Sequence, residues 1–86
     1  MKAIEKNLKA VANQRRLAII KYLKGNNEAT VGDIADSIHL SFKATSKHLG
    51  ILFAVDIVDK DQRGLQMYYR LNKVTDSILR VLISNL

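Results

Sequence analysis

Residues 30–53, TVGDIADSIHLSFKATSKHLGILF, constrain the fold of this chain more than any other segment. Thr30 is placed to cap a helix, with Asp33 three residues on completing a capping-box-like pair. Val31, Ile34, Ala35 and Ile38 then repeat at helical spacing and give that helix one apolar face. His39-Leu40 turns the chain, and Ser41 caps again. The second helix, 41–53, directs Thr45, Leu49 and Leu52 inward at i, i+4, i+7 and turns Lys43, Ser46, Lys47 and Gly50 outward. It carries cations and no acid. Two short helices around a tight turn, the second with a basic, hydroxyl-bearing outer face, suit insertion into the major groove of duplex DNA.

Composition permits this and excludes much else. Eighty-six residues make one domain with a single core, and an apolar fraction of 48% argues against disorder. No apolar stretch approaches the roughly 20 residues that span a bilayer, and the first residues, MKAIEKNLKAVANQRR, lack the apolar run of a signal peptide. No membrane role and a cytoplasmic location are therefore expected. Cysteine is absent, which excludes disulfides and thiolate metal sites within this chain. Fourteen Lys and Arg against eight Asp and Glu give a net charge of +6, which suits a polyanionic partner that releases counterions on binding. The chain has no phosphate-binding glycine loop and no His–carboxylate arrangement at motif spacing, so no catalytic residues, and no enzyme, are expected.

The order of the remaining elements fixes the class. Ile4, Leu8 and Val11 repeat at i, i+4, i+7 in a first helix; Asn13 caps a second, striped by Leu17, Ile20 and Leu23, and Gly25-Asn26-Asn27 stops it. Beyond residue 53 the period changes. Residues 57–62 and 65–71 are β-rich runs separated by Arg63-Gly64, which predicts a hairpin. Asn72 then caps a last helix from 73 to about 86. The expected fold is mainly α with a small antiparallel β-hairpin, a winged helix-turn-helix in the order α-α-α-α-β-β-α. Arg63 at the wing tip would enter the electronegative minor groove.

The last helix has two adjoining apolar stripes, Val74, Ile78, Val81 and Leu82 beside Leu79, Ile83 and Leu86. One stripe suffices to pack a terminal helix on its own core. The second predicts a homodimer, with Ile4, Leu8, Val11, Ile78, Leu79, Leu82, Ile83 and Leu86 at its interface and helices 1–12 and 73–86 pairing. A symmetric dimer would present two reading helices to a palindromic operator.

From residue 11 to 71 the chain resembles the ArsR-type (ArsR/SmtB) winged helix-turn-helix transcriptional repressors. VANQRRLAIIKYL is similar to that family's Leu-Ala-Asp-Pro-Thr-Arg-Leu-Arg-Ile-Leu, with Val11, Ala12, Asn13, Arg16, Leu17, Ile19 and Ile20 in register. LSFKATSKHLGIL is similar to the family's Leu-Ser-Gln-Ser-Thr-Val-Ser-Arg-His-Leu-x-x-Leu, with Leu40, Ser41, Ser46, His48, Leu49 and Leu52 matching and Lys47 replacing the arginine. DIVDKDQRGLQMYYRL lines up with the wing. The resemblance implies binding of double-stranded DNA and a homodimer built on the first and last helices.

The departures concern sensing. Many relatives carry Cys-x-Cys where this chain has Ala29-Thr30-Val31-Gly32-Asp33, and others bind zinc through Asp and His on the last helix, where Asp76 is the only acid and no histidine follows. No metal and no cofactor are expected, since a metal needs several converging donors. Operator affinity should change by less than tenfold on adding chelator, zinc, nickel, copper or peroxide; a larger change, about 1.4 kcal/mol of coupling, would reveal a sensing site. Phe42 and Phe53 stand where the family commonly has Gln and Arg, so a bidentate base reader is lost and the operator need not resemble that of relatives.

The DNA-contacting set read from the residues is Ser41, Phe42, Lys43, Ser46, Lys47, His48 and Arg63. Lys43 and Lys47 are suited to phosphates, Ser46 to a base edge or a phosphate, and Ser41 to capping with a phosphate beside it. His48 has no second donor at helical spacing and suits a structural or phosphate-bonding role. Arg16 combines an aliphatic stem for packing with a cationic head. Tyr68 and Tyr69 fall on opposite faces of their strand. Two other functions use the same fold: a protein-interaction module anchored by Phe42 or Phe53, and a regulator responsive to a small organic ligand bound between protomers.

Overall fold

The computed structural model describes residues 2–73 and 77–86, with side-chain environments for 5–73 and 79–86. Val74 and Asp76, and the side chains of Ile4 and Ile78, lie outside the described residues. The elements are α1 (Lys2–Val11), α2 (Gln14–Gly25), β1 (Ala29–Thr30), α3 (Val31–Ile38), α4 (Phe42–Ala54), β2 (Val58–Arg63), β3 (Gln66–Leu71) and α5 (Ser77–Ser84). None of the described helices is long and apolar enough to cross a membrane.

Local chemistry sets the helix boundaries. The Asn13 side chain accepts from the amides of Arg15 and Arg16 at 2.9 and 3.1 Å, Thr30 Oγ1 from Asp33 at 3.2 Å, and Ser41 Oγ from Ala44 at 3.1 Å. Each satisfies an amide that a helix start leaves without an intrahelical partner. After Gly25 the amide side chain of Asn26 donates to Tyr22 O at 2.8 Å. Helices α3 and α4 end in the same way, on a non-glycine residue in the left-handed region: His39 at φ 56° and Asp56 at φ 61°. In each case the following amide reaches back five residues, Leu40 to Ala35 O and Ile57 to Leu52 O, both at 3.0 Å. This bond closes the helix and absorbs orphan carbonyls.

The sheet has three antiparallel strands in the order β1-β3-β2 rather than two. The added strand pairs Ala29 with Tyr69 and Thr30 with Tyr68, so the residue that caps α3 also ties the helix-turn-helix to the wing. Arg63 pairs with Gln66, so it ends β2 and the turn is Gly64-Leu65, one residue beyond the expected position. Gly64 has φ 62°, the conformation a tight hairpin of this kind asks of its first central residue. The cap expected of Asn72 would act on amides outside the described residues; its side-chain amide donates to Asp56 O at 3.1 Å and its backbone amide to Ile57 O at 3.0 Å, sealing the open end of the hairpin against the end of α4.

Ile19, Ile20, Ile34, Leu49, Leu52, Ile57 and Leu79 are fully buried and join α2, α3, α4, the start of the wing and α5 in one core. Each contributes roughly 1.5–3 kcal/mol by leaving water. Tyr69 points into this core, and burial raises its hydroxyl pKa. Thr45 is buried among the apolar groups, and its Oγ1 has no hydrogen-bond partner among the described residues. Such an unpaired hydroxyl costs about 1–3 kcal/mol of desolvation. Thr45→Val keeps the branched shape and removes that cost, so urea denaturation should show a gain of about 1 kcal/mol. An unchanged or lower midpoint would mean that the hydroxyl is satisfied.

Candidate nucleic-acid interface

Helix α4 lies with Thr45, Leu49 and Leu52 in the core, which fixes the face it shows to solvent. Lys43, Lys47 and Gly50 are exposed and Ser46 is half-buried beside them. Lys43 and Lys47 stand one turn apart, and neither takes part in an ion pair among the described residues. Phe42, the first residue of the helix, is 63% exposed and lies outside the apolar core. Ser41 Oγ accepts the capping bond with one lone pair, and its hydroxyl hydrogen can donate to an acceptor beside the helix start.

His48 occupies a different place. Its Nδ1 lies 3.4 Å from Arg16 Nη1, and Arg16 Nε donates to Ala10 O. The guanidinium therefore joins the end of α1 to α4 from its seat on α2. Burial lowers the His48 pKa, and the positive charges of Arg16, Lys47 and Arg15 lower it further. A neutral ring with Nδ1 as acceptor fits this contact. The cationic head of Arg16 thus organises the site from inside.

The wing also differs from expectation. Leu65 forms its tip and is fully exposed, while Arg63 folds back across the sheet. Its Nη1 and Nη2 donate to the two carboxylate oxygens of Glu28 at 2.6 and 2.7 Å, Nε donates to Asp61 Oδ2 at 3.0 Å, and its guanidinium carbon lies 4.7 Å from the centre of the Tyr68 ring. The hydrogen bonds from Arg63 lower the Glu28 pKa, and the two carboxylates raise that of Arg63. Glu28 has no motif signal in sequence; it directly precedes β1, whose pairing with β3 draws it to the wing, and the two-residue strand is too short to show a period. Opening this clamp with Glu28→Gln removes a negative charge and releases the arginine. The affinity for duplex DNA should rise about two- to fivefold at low salt. A fall in affinity would instead mean that the clamp holds the wing in its binding orientation. At the other end of β2, Lys60 Nζ lies 4.4 Å over the Phe53 ring, so Phe53 fixes the wing against α4.

The expected pairing face divides in two. Val11 and Leu79 are buried in their own core, and Ile83 and Leu86 pack against it half-buried, so this stripe of α5 is spent within the protomer. Val81 and Leu82 point outward, 60% and 44% exposed, and the exposed Leu8 of α1 shares a groove with Leu82. Between α1 and α5 runs an apolar groove of about 390 Å³ whose lining includes Leu8, Leu17, Leu82 and Leu86. Among the described residues, nothing charged lines it.

A family model described as bacterial regulatory protein, arsR family, matches residues 13–60. The transcriptional repressor SdpR of Bacillus subtilis is 36% identical over 64 residues, which cover 74% of this chain and 70% of the repressor. Reduced HlyU from Vibrio cholerae superposes with a TM-score of 0.83 at 30% identity, over 99% of this chain and 85% of that one. The homodimeric winged helix-turn-helix DNA-binding domain of a possible ArsR-family transcriptional regulator from Mycobacterium bovis gives a TM-score of 0.82 at 26% identity, over 98% of this chain and 74% of the other. The helix-turn-helix, the wing and the match across more than half of the sequence agree: this chain belongs to the arsR family of bacterial regulatory proteins.

Proposed function

We propose that this protein regulates transcription in the cytoplasm as a homodimer that binds a palindromic operator, with α4 of each protomer in the major groove and the wing against the adjacent minor groove. The observation that carries this reading is the outer face of α4, where Lys43 and Lys47 project, without ion-pair partners among the described residues, from a helix free of acids. Lys43 and Lys47 neutralise phosphates, Ser46 meets a base edge, and the Ser41 hydroxyl donates to a phosphate at the helix start. His48 acts through Arg16 by holding α4 against α2. Within one domain, residues 30–53 read DNA and 57–71 form the wing. Residues 1–12 and 73–86 pair the protomers through Leu8, Leu82 and the groove between them. Arg63 contributes through the electrostatics and orientation of the wing, and Leu65 at the tip makes the closest approach to the minor groove.

Selection of duplexes from a random pool tests this reading. The expected product is an inverted repeat with half-site centres about 10 base pairs apart. Recovery of no consensus, or of one asymmetric site, would overturn it.

A further inference from the structure

We propose that Phe42 is a specificity-determining residue that selects thymine in each half-site by packing its ring on the C5-methyl group. The proposal rests on the DNA-binding reading above and deepens it. Phe42 is the first residue of α4, and a helix in the major groove presents its N-terminal residues to base edges. Side chains tilt toward the helix start, so the ring leads the helix into the groove. At 63% exposure the ring contributes little to the core, and no cation covers it among the described residues, in contrast to Phe53 beneath Lys60. It also lies outside the lining of the apolar groove between α1 and α5, so pairing of the protomers there does not cover it.

A phenyl ring has neither donor nor acceptor, and every major-groove base feature except one is a donor or an acceptor. The exception is the thymine methyl. Against a guanine, adenine or cytosine edge the ring would desolvate polar atoms and return nothing. Lys43 beside it and Ser46 one turn along hold the helix close enough for contact, through a phosphate and a neighbouring edge.

Deoxyuridine replaces thymine at each position of the selected operator, one position per half-site at a time. Competition binding by the wild-type dimer should fall at one position only, by about fourfold for each methyl removed, the worth of one buried apolar carbon. 5-Methylcytosine at that position should bind better than cytosine. Phe42→Leu, which keeps an apolar reader, should retain the methyl dependence. Phe42→Gln should lose it and shift toward adenine, which its amide can read. Unchanged circular dichroism and non-specific DNA affinity verify that the variants are folded. Equal affinity of the wild type for thymine and uracil at every position overturns the proposal alone. Failure to select any duplex overturns both the proposal and the DNA-binding reading.

Discussion

A protein carrying both Val81→Asp and Leu82→Asp is expected to sediment as a monomer and to lose operator affinity by on the order of 100-fold or more. Both side chains are exposed on α5; Leu82 lines the apolar groove with Leu8 and Leu86, and Val81 lies beyond it, near Lys24 and Arg80. Pairing across that groove would bury the carboxylate at position 82 of each protomer on a lining that holds no charged side chain among the described residues, and an unpaired buried charge costs several kcal/mol. Since the native side chains are substantially exposed in the protomer, the monomer should keep its fold, with unchanged far-ultraviolet dichroism. A lone protomer can occupy only one half-site, so the loss of affinity follows from geometry. A variant that still sediments as a dimer would place the interface elsewhere.

Removing both cations from the outer face of α4 should have the second large effect. Lys43→Ala with Lys47→Ala is expected to weaken operator binding at least tenfold at physiological salt. The logarithmic salt slope should become shallower by about 0.9 per lysine in each protomer, the signature of released counterions. Neither lysine is engaged in an ion pair among the described residues, so the substitutions should leave the fold and its stability nearly unchanged. Wild-type affinity with a wild-type slope would remove α4 from the DNA interface.

The parts of this fold legible in sequence are those with a local cause. Asn13, Thr30 and Ser41 were readable as caps because capping needs only one side chain and amides two or three residues on. The inward set Thr45, Leu49 and Leu52 was readable from its period. The missed features depend on what the chain meets in three dimensions. Strand β1 is two residues long and exists because β3 offers it an edge. Arg63 looked free at a turn, but the hairpin turns one residue later, and β1 brings Glu28 within reach of its guanidinium. The two stripes of α5 were visible, yet nothing in their spacing says which one the core takes. Packing against α2 selects the stripe of Leu79 and leaves Val81 and Leu82 outward. His48 matches the family pattern, but its partner Arg16 lies 32 residues away in sequence.

The central claim is that two α4 helices enter successive major grooves on one side of a duplex. Methylation interference on the selected operator tests it directly, because modification of guanine N7 blocks the major groove and modification of adenine N3 blocks the minor groove. Guanine interference is expected in two symmetric clusters about 10 base pairs apart, flanked by weaker adenine interference where the wings lie. A single cluster, or interference confined to adenines, would contradict it.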